Sequence, residues 1–262
     1  MADFTRHFFD HDGLHLSYLD TGGDEPPLLA LHGHLNEARF VMQGAVPSQI
    51  PYRTIALDQR GHGQSDHAHS YRINDYVDDA VALLDHLKIE SATVLGHSLG
   101  GVVAYTLAAR APDRVEKLVI VDIGAVVDDD LGVVLTWLHR APTRRALVEA
   151  FGFMGAKQEY VMRKYADGWG VPWNPAEMVA SQEEINGDHW QTWLATTMPA
   201  LLIHGSDSHT LNTQQAEDMA QRRPATTLIH LAGGHAIYVD APSAYVQAVT
   251  TFLAERSEGK RI

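Results

Sequence analysis

One pentapeptide, Gly96-His97-Ser98-Leu99-Gly100, has the residue types of a nucleophilic turn. It follows a short apolar run, Ala92–Leu95, and opens a stretch rich in glycine and alanine, Leu99–Arg110. A serine on a sharp strand-to-helix turn exposes its hydroxyl, and the flanking glycines remove side chains that would clash with neighbouring backbone. The helix N-terminus that follows favours developing negative charge. We therefore predict that Ser98 is a nucleophile.

A second turn, His32-Gly33-His34-Leu35, could supply groups that stabilise negative charge on a carbonyl oxygen. It follows the apolar run Pro27–His32. Transfer of an acyl group needs two backbone N–H donors directed at the developing oxyanion. We expect the N–H groups of His34 and Leu99 to be these donors. The alternative is a plain strand-to-loop turn, which fits the same residues.

The histidines in this part of the chain also suggest a metal site. His62, His67 and His69 follow His32 and His34 within a short stretch. No pair at helical spacing and no neighbouring set of carboxylates accompanies them, as a metal site of this kind would require. We therefore predict no metal, and the chemistry of an activated serine requires no cofactor.

Composition limits the class of partner and the compartment. The net charge is −13, from 33 acidic and 20 basic residues, and there is no cysteine. Binding to nucleic acid or to an anionic membrane needs a basic patch, so we expect a small-molecule partner instead. The absence of cysteine excludes disulfides, thiolate zinc sites and a cysteine nucleophile. We find no signal peptide and no apolar stretch near the about 20 residues of a membrane span, which predicts a cytoplasmic enzyme.

The elements that must position these residues alternate along most of the chain. Short apolar runs alternate with amphipathic stretches such as Ile73–Leu87, whose apolar residues recur at helical spacing. This alternation is typical of an α/β protein. From about residue 126 to residue 197 it stops, helical patterns dominate, and all five tryptophans occur. We therefore predict a core of residues 1–125 and 198–262, interrupted by a helical cap at 126–197.

Three segments together resemble the α/β-hydrolase superfamily: the turn around Ser98, the His32-Gly33 turn and Asp58–Ser65. The last reads Asp-Gln-Arg-Gly-His-Gly-Gln-Ser and matches that family's D-x-R-G-x-G-x-S signature. The resemblance implies a mostly parallel eight-stranded sheet with helices on both faces and a cap inserted after the sixth strand. For Asp58–Ser65 it implies a structural loop near the active site, without a catalytic role.

The resemblance also implies which histidine is the base. In this family the base comes last in chain order, after the nucleophile and the acid. Gly233-Gly234-His235 follows the predicted strand Thr226–His230 and precedes the predicted helix Ser243–Glu255, where the family places its catalytic histidine. Only His235, among sixteen histidines, has this context, and we predict that it is the base.

Two aspartates satisfy the chain order for the acid, which holds the imidazole in the required tautomer. Asp207 follows the seventh core strand, the family's commonest acid position, but the usual Gly-x-x-Asp spacing would place the acid at Ser208. Asp122 follows the sixth strand, where one branch of the family has its acid in Asp-Ile-Gly-like segments. We favour Asp122 on this resemblance, and Asp207 stays as the alternative.

Cap helices cover the active site in this family, so the large side chains of the cap are candidates for an apolar substrate pocket. The alternative is that they pack the interior of the cap itself. The candidates are Trp137, Phe151, Phe153, Trp169, Trp173, Trp190 and Trp193.

These features predict a serine hydrolase that cleaves a carboxylic ester or similar small acyl compound through an acyl-enzyme. Ser98 disfavours haloalkane dehalogenases and epoxide hydrolases, which resemble this chain but have aspartate at that position. A carbon–carbon bond hydrolase of a ring-cleavage pathway stays open, although such enzymes often have tryptophan where this chain has Ala236. Cofactor-independent oxygenases, haloperoxidase-like enzymes and non-catalytic ligand receptors on the same scaffold are further alternatives. Neither the substrate nor the oligomeric state follows from the sequence.

Overall fold

The strands and helices follow the apolar runs and amphipathic stretches of the sequence. The computed structural model describes residues 4–46, 50–152, 159 and 161–255. Its strands are β1 (Thr5–His11), β2 (Leu14–Asp20), β3 (Pro27–Leu31), β4 (Arg53–Leu57), β5 (Ala92–His97), β6 (Val115–Val121), β7 (Val126–Val127), β8 (Arg140–Ala141), β9 (Arg163–Tyr165), β10 (Gly168–Gly170), β11 (Gly187–Asp188), β12 (Ala200–Gly205) and β13 (Thr226–Leu231). Its α-helices are α1 (Ala38–Phe40), α2 (Ile73–His86), α3 (Leu99–Arg110), α4 (Arg144–Ala150), α5 (Pro175–Ile185), α6 (Trp190–Trp193), α7 (Thr213–Arg222), α8 (Ile237–Asp240) and α9 (Pro242–Ala254). Short 3₁₀ helices span Pro112–Arg114 and Gly132–Thr136, and a π-helical turn spans Val41–Ala45.

Eight strands form the central sheet, in the order β1-β2-β4-β3-β5-β6-β12-β13. The β1–β2 and β2–β4 pairs are antiparallel, and all the other pairs are parallel. The predicted mostly parallel eight-stranded sheet is therefore confirmed. Because parallel strands end at the same edge, the residues that follow β5, β6 and β13 come close together. The register pairs His97 with Val121, so Ser98 and Asp122 leave neighbouring strand ends side by side.

Helices cover both faces of this sheet, as predicted. On β3, Leu29 and Leu31 join a hydrophobic cluster with α2 and α3, whereas Leu28 and Ala30 join a cluster with α9 on the opposite face. Side chains alternate between the faces of a strand. A strand that is apolar at every position is therefore buried on both sides, which explains the continuous apolar runs of the sequence.

The insert, residues 126–197, lies between β6 and β12 in the chain. It contains α4, α5 and α6, but also a three-stranded sheet (β8-β10-β9) and a two-stranded sheet (β7 with β11). The prediction of a helical cap is wrong on this point, because strands of two or three residues are too short to show a period of two in the sequence. The insert has its own hydrophobic cluster, which includes Leu147, Met178 and Trp173 and also Leu35 from the loop after β3.

Candidate active site

Ser98 occupies a strained turn between β5 and α3. Its backbone has φ 53° and ψ −123°, a left-handed conformation that non-glycine residues rarely adopt. A Cβ atom on Gly96 would lie 2.1 Å from the carbonyl oxygen of Gly100, and one on Gly100 would lie 2.2 Å from that of Leu31. Both positions therefore require glycine, and Ser98 itself stays partly exposed above the sheet edge.

His235 and Asp122 form a pair at the same sheet edge. The Nδ1 atom of His235 lies 2.8 Å from Oδ2 of Asp122, which is fully buried. Donation from Nδ1–H to the carboxylate leaves Nε2 of the ring as the basic nitrogen. The Asp122 carboxylate also accepts the backbone N–H of Gly205 at 2.9 Å and the hydroxyl of Ser208. These two donors hold the carboxylate in the orientation that meets His235.

Asp207 does not pair with His235. Its side chain is exposed, and its backbone N–H donates to the carbonyl of Gly233 at 2.9 Å. Ser208, at the position where the usual spacing would place an acid, donates instead to Asp122. Of the two aspartates that the sequence left open, the geometry therefore brings Asp122 to the histidine. The sequence marked residue 208 only as a departure from the family spacing, and its contact with Asp122 is visible only in the structure.

The loop after β3 packs directly against the serine turn. A Cβ atom on Gly33 would lie 2.9 Å from Cβ of Ser98, so glycine allows this close approach. His34 follows, and its Nε2 lies 2.8 Å from the hydroxyl of Ser181 in α5. As the first residue of α3, Leu99 has a backbone N–H without an intrahelical acceptor. The loop that contains Gly33 and His34 and the first residue of α3 thus both adjoin Ser98.

The central cavity, of about 630 Å³, contains these groups. Its core side includes His34, Ser98, His235 and Tyr238. Its insert side is formed by residues 129–131 together with Gln182 of α5. A volume of this size accommodates a small organic molecule.

The tryptophans predicted to form the pocket lie elsewhere, which corrects that prediction. Trp137 and Trp173 belong to the hydrophobic cluster of the insert with Phe151, and Trp169 packs against that cluster. Trp193 is fully buried in the main core and donates its Nε1–H to the carbonyl of Met219, and Trp190 packs against the same core. Phe153 lies outside the described residues. Large side chains stabilise a small insert by filling its interior, so composition alone does not place them in a pocket.

The Asp58–Ser65 loop connects the core to the insert. The buried Asp58 carboxylate accepts the backbone N–H groups of Ala38 at 2.7 Å and Gln64 at 3.0 Å. A Cβ atom on Gly63 would lie 2.2 Å from the Asp58 carboxyl carbon. The N–H of Gly63 donates to the carbonyl of Pro172 in the insert at 3.0 Å. These contacts are structural, in agreement with the role that the resemblance implies.

Both ring nitrogens of His32 form hydrogen bonds with backbone groups. Its Nδ1 lies 2.8 Å from the carbonyl of Gly33, and its Nε2 accepts the N–H of Gln59 at 3.0 Å. Burial lowers the pKa of His32 to about 4, so the ring is neutral at neutral pH.

Within the described residues, no group of three or more histidine, aspartate or glutamate side chains could hold a metal ion. In the same part of the chain, no helix has the length and hydropathy of a membrane span.

Comparison with known proteins identifies the family. The model of the α/β-hydrolase fold family matches residues 26–242, so the chain belongs to this family. The chain is 25% identical to 2-(acetamidomethylene)succinate hydrolase of Mesorhizobium japonicum, over 88% of this chain and 89% of the relative. It is 28% identical to esterase YbfF of Escherichia coli, over 87% of this chain and 92% of that protein. The relatives include hydrolases of several kinds.

Solved structures show the same fold. The crystal structure of E-2-(acetamidomethylene)succinate hydrolase superimposes with a TM-score of 0.86, at 22% identity, and covers 97% of this chain and 100% of that one. An enol-lactonase from Burkholderia xenovorans superimposes with a TM-score of 0.78 at 22% identity, over 95% of this chain and 100% of the other.

Proposed function

We propose that this chain is a serine hydrolase that cleaves a carboxylic ester or a similar small acyl compound. One observation carries the proposal: the partly exposed Ser98 turn shares a cavity with a histidine whose Nδ1 is paired with a buried carboxylate. That arrangement supplies a nucleophile, a base and an orienting acid. The esterase among the relatives supports the same class of reaction.

The reaction proceeds in two halves. The Ser98 hydroxyl attacks the substrate carbonyl while Nε2 of His235 takes its proton, and the carbonyl oxygen becomes an oxyanion. The backbone N–H groups of His34 and Leu99 donate to that oxyanion. His235 then returns the proton to the leaving alcohol, which departs and leaves the acyl group on Ser98. Water attacks the acyl-enzyme with the same histidine as base, and the carboxylic acid is released.

The buried Asp122 carboxylate stabilises the imidazolium that forms in each half. The insert acts as a cap, since its residues 129–131 and Gln182 close one side of the cavity. Substrate selection would therefore depend on both parts of the chain.

Hydrolysis of p-nitrophenyl esters of increasing acyl length tests the proposal. The wild type should hydrolyse the short esters, and Ser98→Ala should lower kcat/KM by about a thousandfold or more, because it removes the nucleophile. Ser206→Ala is a matched control, since Ser206 is an exposed serine in the turn after β12. Activity that survives Ser98→Ala would contradict the proposal, and so would a wild type that hydrolyses no ester of the series.

A further inference from the structure

The wall of the central cavity carries negative charge. The described residues that line it include Asp129, Asp130 and Asp240 but no lysine or arginine. Burial holds the pKa of His34 and of His97, which also line the cavity, well below the ordinary value, so both rings are neutral at neutral pH. An anionic substrate would therefore meet like charges without a compensating cation.

Asn186 fixes the orientation of a neighbouring amide. Its Oδ1 accepts the backbone N–H of Asp129 at 3.1 Å, and its Nδ2 donates to the backbone carbonyl of Asp129 at 2.9 Å. A backbone N–H can only donate and a carbonyl can only accept, so the Asn186 amide has one orientation. Gln182 must then donate its Nε2–H to Asn186 Oδ1, at 2.8 Å. This leaves Oε1 of Gln182 as an acceptor.

Gln182 and Asp129 both present acceptors to the cavity. Gln182 is 5% exposed and lines the cavity, and no donor among the described residues hydrogen-bonds to its Oε1. Asp129 is half-buried, and within the described part of the chain its carboxylate forms no salt bridge. Burial raises the pKa of the Asp129 carboxyl, as do the charges of Asp128 and Asp122, while His235 lowers it. The half-buried carboxylate of Asp129 and the amide oxygen of Gln182 can therefore both accept from a ligand with a charged N–H group.

We propose that the substrate is an ester or similar acyl compound that carries a protonated amine, which Asp129 and Gln182 bind. The inference rests on the proposed function and adds the substrate class to it. Asp130 and Asp240 add to the negative potential that attracts the cation. Asp129 is thus a specificity-determining residue, distinct from Asp122, which orients the base.

Two pairs of isosteric esters test the proposal at pH 7.5, with the released acid titrated directly. One pair is 2-(dimethylamino)ethyl butyrate and 3-methylbutyl butyrate, which differ by a charge on the alcohol. The other is ethyl 4-(dimethylamino)butyrate and ethyl 5-methylhexanoate, which differ by a charge on the acyl group. In at least one pair the cationic ester should have a kcat/KM at least about tenfold higher than the neutral one. Equal or lower values for the cationic ester in both pairs would overturn the proposal.

Variants separate recognition of the substrate from an effect on the base. Asp129→Asn should lower the cationic-to-neutral ratio by about tenfold, whereas Asp167→Asn, at an exposed aspartate in the turn between β9 and β10, should leave it unchanged. If Asp129 acted only through His235, both esters of a pair would slow equally, and the unchanged ratio would reject the inference.

Binding separates this inference from the proposed function. If the wild type hydrolyses none of the four esters, the proposed function fails. Calorimetric binding of the same esters to Ser98→Ala, with and without Asp129→Asn, then tests the inference alone. The cationic esters should bind at least about tenfold more tightly than their isosteres, and only when Asp129 is present. Equal affinities for each pair would reject it.

Discussion

Close backbone contacts fix the strand ends that carry Ser98 and Asp122, whereas packing between large side chains stabilises the insert. At the serine turn, Gly96 and Gly100 approach neighbouring carbonyl oxygens so closely that no side chain fits at either position. In the insert, the rings of Trp137 and Phe151 lie 4.9 Å apart in a cluster of large side chains. A backbone requirement is local and restricts the residue type at one position. A packing requirement is shared among many positions and can be met by many combinations of residues.

The two regions also differ in the environment of their aspartate side chains. Asp122, at the end of β6, is fully buried with a hydrogen-bond partner for each carboxylate oxygen. Asp129, in the insert, is half-buried and lines the cavity without a salt bridge among the described residues. The contacts of Asp122 suit a carboxylate that must keep one orientation. The environment of Asp129 suits a carboxylate that binds a ligand. Three predictions test how the core strand ends and loops differ from the insert.

The largest effect is expected at the strand ends. Asp122→Asn should lower kcat/KM on a short ester by about a thousandfold or more, because an amide in this place no longer stabilises the imidazolium and favours the wrong tautomer of His235. The measurement is steady-state kinetics on the p-nitrophenyl series. The matched control is Asp207→Asn, which should stay within about twofold of the wild type, because Asp207 is exposed and does not contact His235. A larger loss for Asp207→Asn than for Asp122→Asn would reverse the assignment of the acid.

A second effect concerns the stability of the core loops at low pH. The unfolded His32 has the ordinary pKa of 6.5 and the folded one a pKa of about 4, so between these values the unfolded chain binds more protons. Stability from this residue is therefore complete above pH 6.5 and is lost as the pH falls towards 4. The loss is about 3 kcal/mol in the free energy of unfolding.

Urea denaturation at a series of pH values measures this loss. The wild type should lose stability steadily below pH 6.5, and His32→Asn should show a shallower decline. His69→Asn, at an exposed histidine, should decline as steeply as the wild type. An identical slope for His32→Asn and the wild type would show that the acid sensitivity originates elsewhere.

The smallest effect on activity is expected from the insert's own interior. Trp137→Phe should change kcat/KM on short esters by less than about twofold, because Trp137 packs against Phe151 and Trp173 and not against the cavity. It should lower the free energy of unfolding by about 1 kcal/mol, because it removes buried contact area. Ester kinetics and urea denaturation of the same preparation measure both quantities.

Leu131→Ala is the matched comparison, since Leu131 lines the cavity from the insert side. It should raise KM for the longer esters more than Trp137→Phe does. If the tryptophan variant had the greater effect on KM, the prediction that the tryptophans form the pocket would regain support.

The sequence by itself determined the family and the central sheet, and it predicted where the candidate site residues lie. Gly96 and Gly100 could be interpreted from the sequence because each avoids a clash with neighbouring backbone. The apolar runs predict the strands of the central sheet because strands buried on both faces need apolar residues at every position. The position of His235 follows from chain order within the family, and the structure brings it to the cavity that contains Ser98.

Only the tertiary structure decided which aspartate hydrogen-bonds to His235, where the tryptophans pack and which residues line the cavity. Asp122 and Asp207 both follow strands of the sheet, and their different orientations depend on contacts with Gly205, Ser208 and Gly233, far away in sequence from Asp122. The short strands of the insert have no period of their own, because each is stabilised by pairing with a distant segment. Local requirements on the backbone leave a signature at single positions, whereas contacts between distant side chains leave none until the chain has folded.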